Sequence, residues 1–124
     1  MDASKSKMQT YTERLTEIYR FRREHQVKSF LEEHEYLAPL LIEARQPIRQ
    51  VFGEKTPVVL EVFHDPDSEE DESELFALIQ TNLPVEKARM LRSQLDEEWW
   101  LANSARADSR LNIDVEYCAN VRLD

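Results

Sequence analysis

Leu111-Asn112-Ile113-Asp114-Val115-Glu116-Tyr117 alternates apolar and polar residues from end to end. A period of two is the mark of a half-buried strand. Leu111, Ile113, Val115 and Tyr117 are therefore expected to point inward, and Asn112, Asp114 and Glu116 outward. Working back from it, residues 103–110 are a polar connection. Before them Val85, Ala88, Leu91, Leu95, Trp99 and Ala102 recur at helical spacing behind Pro84, which suits a first turn. Earlier still, Leu75-Phe76-Ala77-Leu78-Ile79 is apolar on both faces, as a central strand is. Val58-Val59-Leu60-Glu61-Val62-Phe63 is short, β-branched and aromatic. These two strands make a hairpin with a long charged connection, and the second crosses over a helix to the third.

The N-terminal part reads as helical. Met8, Tyr11, Leu15 and Ile18 form one stripe, with a capping-box pattern at Thr10–Glu13 and a second at Ser29–Glu32. Leu37, Leu40, Leu41, Ala44, Ile48, Val51 and Phe52 give a wide apolar face over residues 37–52. Pro47 should kink that helix, and Gly53, the single glycine, should cap it. The expected fold class is α+β: N-terminal helices followed by a ββαβ unit. Its three-stranded mixed sheet carries its helices mainly on one face. Residues 1–8 read as a flexible N-terminus and 9–118 as one domain, with a helical arm at 9–35 and a body at 36–118. Residues 119–124 read as a tail.

The chain has 124 residues, enough for one core without metal or disulfide staples. Its net charge is −9, unevenly spread. Residues 1–30 hold seven Lys and Arg against four acids, a net of +3; the rest hold nine against twenty-one, a net of −12. Phosphates repel such a body, so general nucleic-acid binding is disfavoured and a basic protein partner is favoured. No run of apolar residues is long enough to span a bilayer. Cys118 is the only cysteine, which excludes an intrachain disulfide. With no apolar leader pattern at its start, the chain reads as cytoplasmic.

Several stretches together resemble a family of small acidic bacterial proteins of unassigned function. They are Phe52-Gly53, Leu60-Glu61-Val62, Asp65-Pro66, Glu74-Leu75-Phe76, Ile79-Gln80-Thr81, Asp96-Glu97-Glu98-Trp99-Trp100 and Ile113-Asp114-Val115-Glu116-Tyr117. The Asp-Glu-Glu-Trp-Trp helix is the most specific of them. The resemblance covers about residues 36–117 and leaves the basic arm before residue 30 unmatched. It implies a fold and a bacterial cytoplasmic setting, and no assigned activity or catalytic residue.

Three surfaces compete as the functional one. The first is a protein-binding surface. Asp65–Glu74 packs seven acids into ten residues, and Asp67, Glu69, Glu70, Asp71 and Glu72 are its candidate partner-binding residues. It lacks the glycine of a calcium loop, so it reads either as a solvated loop or as a dock for a basic partner. Trp100 lies about 100° around the helix from Trp99, so it either packs at the core edge with Trp99 or is the candidate interface aromatic beside the loop. An antitoxin-like or immunity-like protein is one form of this reading.

The second surface is a carboxylate set. Asp114 and Glu116 leave one face of a strand, and Glu61 interrupts an apolar one. If they converge they can hold Mg²⁺ and serve phosphoryl transfer or nuclease chemistry; otherwise they are a solvated sheet face. The third surface is Tyr19-Arg20-Phe21-Arg22-Arg23, where Arg20, Arg22 and Arg23 mix with aromatics as in strand-binding proteins. The Met8–Ile18 stripe suits either the seam of a homodimeric helix pair or packing on the sheet. His25, His34 and His64 sit in separate elements with no metal-ligand spacing. No phosphate loop, nucleophile elbow or cofactor motif is present, so the non-enzymatic reading is preferred, with no cofactor.

Overall fold

In the computed structural model, which describes residues 3–64 and 73–118, with side chains from residue 9, the helix α1 (Ala3–Ile18) comes first. It starts well before the capping box at Thr10, which lies inside it. Leu15 is fully buried, and Tyr11 and Ile18 pack against the same cluster. The α1 stripe lies on α3 (Leu37–Phe52) of its own chain. Of the two readings of the stripe, Leu15, Tyr11 and Ile18 follow the one that packs it within its own chain, and the Met8 side chain lies outside the described ones.

The helical arm expected at 9–35 is interrupted at residues 19–23, which are not helical. Tyr19, Arg20, Phe21 and Arg22 alternate, and Arg20–Phe21 forms β1, an edge strand parallel to β2 (Val58–Phe63). Arg22 N–H continues the ladder to Leu60 O at 2.9 Å. Tyr19 turns inward and donates its hydroxyl hydrogen to Leu41 O at 2.7 Å. Arg23 then takes a left-handed backbone (φ 53°). That turn sends the chain into α2 (Glu24–Glu33), which begins before the expected start at Ser29. Val27, Phe30 and Leu31 are its buried face.

The α3 bounds match the apolar pattern. The helix continues through Pro47, and Gly53 (φ 116°) ends it, with Gly53 N–H on Arg49 O at 2.9 Å. The strands β2 and β3 (Glu74–Thr81) form the expected antiparallel hairpin, and β3 runs parallel to β4 (Leu111–Tyr117) across the helical connection. The sheet is therefore mixed and has four strands in the order β1-β2-β3-β4, one more than the ββαβ unit supplies. The added strand is the one built from the basic arm.

One apolar cluster joins Leu60 and Val62 of β2, Leu75, Ala77 and Ile79 of β3 and Ile113 of β4. To these it adds Leu15, Leu31, Leu40 and Leu95, so α1 to α4 all contribute to this one sheet face. Burying each of these Leu, Ile and Val side chains stabilises the fold by roughly 1.5–3 kcal/mol.

The helix α4 (Val85–Leu95) departs from the expected stripe. After Leu95 the backbone widens into a π-helical turn, Asp96–Trp100, before a last α-helical turn, α5 (Leu101–Asn103), and a tight 3₁₀ turn, Ser104–Ala107. A π turn spends one extra residue per repeat. The core position after Leu95 is therefore Trp100, 8% exposed, and Ala102 turns to solvent. Trp99 packs partly buried beside it, with the two rings stacked at 5.9 Å. Both rings thus pack on the core, and the interface role for Trp100 is corrected, because the π turn carries its ring inward. Tyr117, expected to point inward, is 47% exposed at the end of β4.

Candidate functional site

Alternation along the strands places Glu61, Phe63, Phe76, Leu78, Gln80, Asn112 and Glu116 on the sheet face opposite the core. A carboxylate at the centre of a sheet must find a partner, because an unpaired buried charge is costly. Glu61, 8% exposed, meets the Arg22 guanidinium: Nη1 donates to Glu61 Oε2 at 2.9 Å. The same guanidinium grips Glu116 with both ends, Nη1 to Oε2 and Nη2 to Oε1, each at 2.8 Å. Gln80 Nε2 donates to Glu116 Oε1 at 3.1 Å, and Cys118 Sγ lies 3.7 Å from the same oxygen.

Electrostatics follow from this geometry. The Arg22 hydrogen bonds, helped by Gln80, pull the Glu116 carboxyl down from its ordinary range to about 2. The two carboxylates raise Arg22 in turn, so its charge is permanent. Burial, then the neighbouring Glu116 charge, push the Cys118 thiol up and leave it a poor nucleophile.

The carboxylate set proposed from sequence is therefore half assembled. Glu61 and Glu116 do come together, but a guanidinium stands where a cation would sit. Asp114 leaves the same face, paired with Leu78, but its carboxylate turns to the sheet edge: Oδ1 accepts Val115 N–H at 2.8 Å and lies 3.3 Å from Arg92 Nε. Among the described residues no three His, Cys, Asp or Glu are placed to hold a metal. The basic-arm site is likewise taken apart. Arg22 is spent inside the sheet, while Arg20 and Arg23 stay exposed on a strand and a turn rather than on one helical face.

Of the protein-binding candidates, Asp67, Glu69, Glu70, Asp71 and Glu72 lie outside the described residues, and Trp100 is buried. Sequence reasoning missed Phe63. It ends β2 on the outer face, 44% exposed, with its ring edge-to-face on Phe76 at 4.8 Å and 74°. The signal was present: alternation from core-facing Leu60 and Val62 puts Phe63 on the side of Glu61. It stands directly before His64 and the acidic connection.

A second missed contact closes that connection. His64 follows β2 and Ser73 precedes β3, and Ser73 Oγ meets His64 Nδ1 at 2.5 Å. Arg110 Nη1 donates to Ser73 O at 2.9 Å. The pair staples the mouth of the hairpin. It lines a cleft of about 270 Å³ with His25, Ser29, Phe30 and Glu33 of α2. Two histidines that are far apart in sequence thus share one wall.

Among the described residues no helix is long and apolar enough to cross a membrane. Comparison with known proteins adds no relative: no family model, no curated protein and no solved structure matches this chain.

Proposed function

We propose that this chain is a non-catalytic protein-binding module that engages a basic partner through the acidic connection Asp65–Glu74 and the aromatic pair Phe63–Phe76 at its root. The observation that carries this reading is Phe63. A large apolar ring, nearly half exposed and held in a fixed orientation by Phe76, adjoins seven acids in ten residues. An anchored aromatic supplies contact area at low entropic cost, and a concentrated charge supplies steering and orientation. The net charge of −9 suits a basic target. Neutralisation of a basic effector, in the manner of an antitoxin or immunity protein, is the specific form this takes.

The test is capture from native lysate at low salt, with bound proteins and nucleic acids both identified. A single stoichiometric basic protein that elutes as salt rises is expected. Changing Glu69, Glu70, Asp71 and Glu72 to Gln or Asn should flatten the salt dependence, and Phe63→Ala should shorten residence without altering it. Undiminished capture by both variants, or capture of nucleic acid alone, overturns the reading.

A further inference from the structure

The sheet has two edges. One is β1, only two residues long. The other is β4, seven residues of alternating, β-forming sequence. Long regular edges invite pairing with another chain unless something blunts them.

The ladder fixes which groups of β4 are free. Cys118 N–H bonds Thr81 O, and Arg110 O accepts Leu75 N–H, so even-numbered residues face β3. Leu111, Ile113, Val115 and Tyr117 therefore aim their backbone groups away from the sheet. At the middle of this row two groups are already taken. Ile113 O accepts Arg92 Nε and Nη2 from α4 at 3.3 and 3.2 Å. Val115 N–H is held by Asp114 Oδ1, which Arg92 also approaches at 3.3 Å. Asp96, in the π turn that follows α4, steadies the guanidinium at 3.5 Å.

We infer that Arg92 and Asp114 form a guard that closes the β4 edge against the β4 strand of a second copy, and that removing both opens a homotypic pairing site. The second copy is the occupant the strand itself specifies. Ile113 and Val115 flank Asp114 symmetrically, so an antiparallel neighbour in that register sets Ile113 against Val115 and Leu111 against Tyr117. Tyr117 and Val85 are half exposed beside the edge, lining a cleft of about 430 Å³ with Arg89 and Arg92. The same register sets Asp114 against Asp114, and like charges directly opposite repel. Asp114 thus opposes pairing twice, by occupying the Val115 N–H and by its charge. Arg92 opposes it once, by occupying the Ile113 carbonyl.

The test is sedimentation equilibrium over a concentration series, with amide exchange read residue by residue. The wild-type chain and the R92A/D114A variant are compared. The variant is expected to self-associate at least about tenfold more tightly, the worth of roughly one released hydrogen bond per strand. Its Ile113 and Val115 amides should become more protected as concentration rises. Val115→Pro in that background should restore the wild-type mass, because this N–H faces outward and an edge strand tolerates its loss. Circular dichroism and a cooperative urea transition establish that each variant folds, and D114A alone serves if the double variant does not. A folded variant with wild-type mass at every concentration overturns the inference. So does association that survives Val115→Pro, or association that leaves the edge amides unprotected.

Discussion

Replacing Arg22 by Met should be among the more damaging single changes on the outer face of the sheet, and its cost should depend on pH in a specific way. Holding Glu116 at about 2 rather than the ordinary 4.5 corresponds to roughly 3 kcal/mol at most. The Arg22 side chain is 38% exposed, so solvent screening reduces this to roughly 1–2 kcal/mol. Losing the guanidinium also leaves Glu61 nearly buried and unpaired beside Glu116, which brings the expected cost at neutral pH to roughly 2–4 kcal/mol. A carboxylate whose folded pKa is lowered contributes its full stability above its unfolded pKa and loses it as pH falls through the folded one. The gap between wild type and R22M should thus be constant from pH 8 to about 5 and close progressively from about 4.5 towards 2. Urea unfolding followed by tryptophan fluorescence at pH 7 and pH 3 measures it. Glu116→Gln in the R22M background should return part of the loss at pH 7. A gap as wide at pH 3 as at pH 7, with no recovery from Glu116→Gln, would show that Arg22 acts by packing and refute the electrostatic argument.

The π turn makes the two adjacent tryptophans unequal. Trp100→Ala should cost roughly 3–5 kcal/mol in urea unfolding and Trp99→Ala clearly less; equal losses would place both rings in the core and contradict the phase shift. Arg45 gives the opposite kind of prediction. It is 7% exposed, donates Nη2 to Thr56 O at 2.8 Å, and its Nε and Nη1 reach no acceptor, while the Tyr19 ring lies 5.9 Å from its guanidinium carbon. Burial pulls its pKa below the usual arginine range. Arg45→Met keeps the volume and removes the buried charge, so stability should stay within about 1 kcal/mol or rise. A loss of several kcal/mol in the same unfolding assay would mean the charge is compensated.

The strands β2, β3 and β4 were legible because alternation or a β-branched run extends over five or more residues in each. The strand β1 was not. Tyr19-Arg20-Phe21-Arg22 alternates as a strand should, but it follows a helical stripe at Tyr11, Leu15 and Ile18 that extrapolates through it. What decides its conformation is Leu60 O, a hydrogen-bond acceptor supplied from far along the chain. The Trp pair failed for a different reason. A stripe drawn at 3.6 residues per turn has no way to register an inserted residue, and the insertion lies between Leu95 and Trp100.

The candidate site divides along the same line. That Asp114 and Glu116 share a face follows from strand period alone, but that Glu61 joins Glu116 there depends on the register of β2, β3 and β4. Chemistry then suggests a cation between Glu61 and Glu116. The cation is there, but it is an arginine 39 residues from one partner and 94 from the other. Only the pairing of β1 with β2 brings it in. The dependence runs both ways. Two residues of parallel ladder are too few to hold an edge strand by backbone bonds alone. Arg22 extends that strand's hold across the sheet, through Glu61 on β2 to Glu116 on β4. The basic arm therefore registers the N-terminal helices on the acidic body by charge. Its apparent surplus of +3 is in part an internal counterion, and the acids left for a partner are those beyond the end of β2.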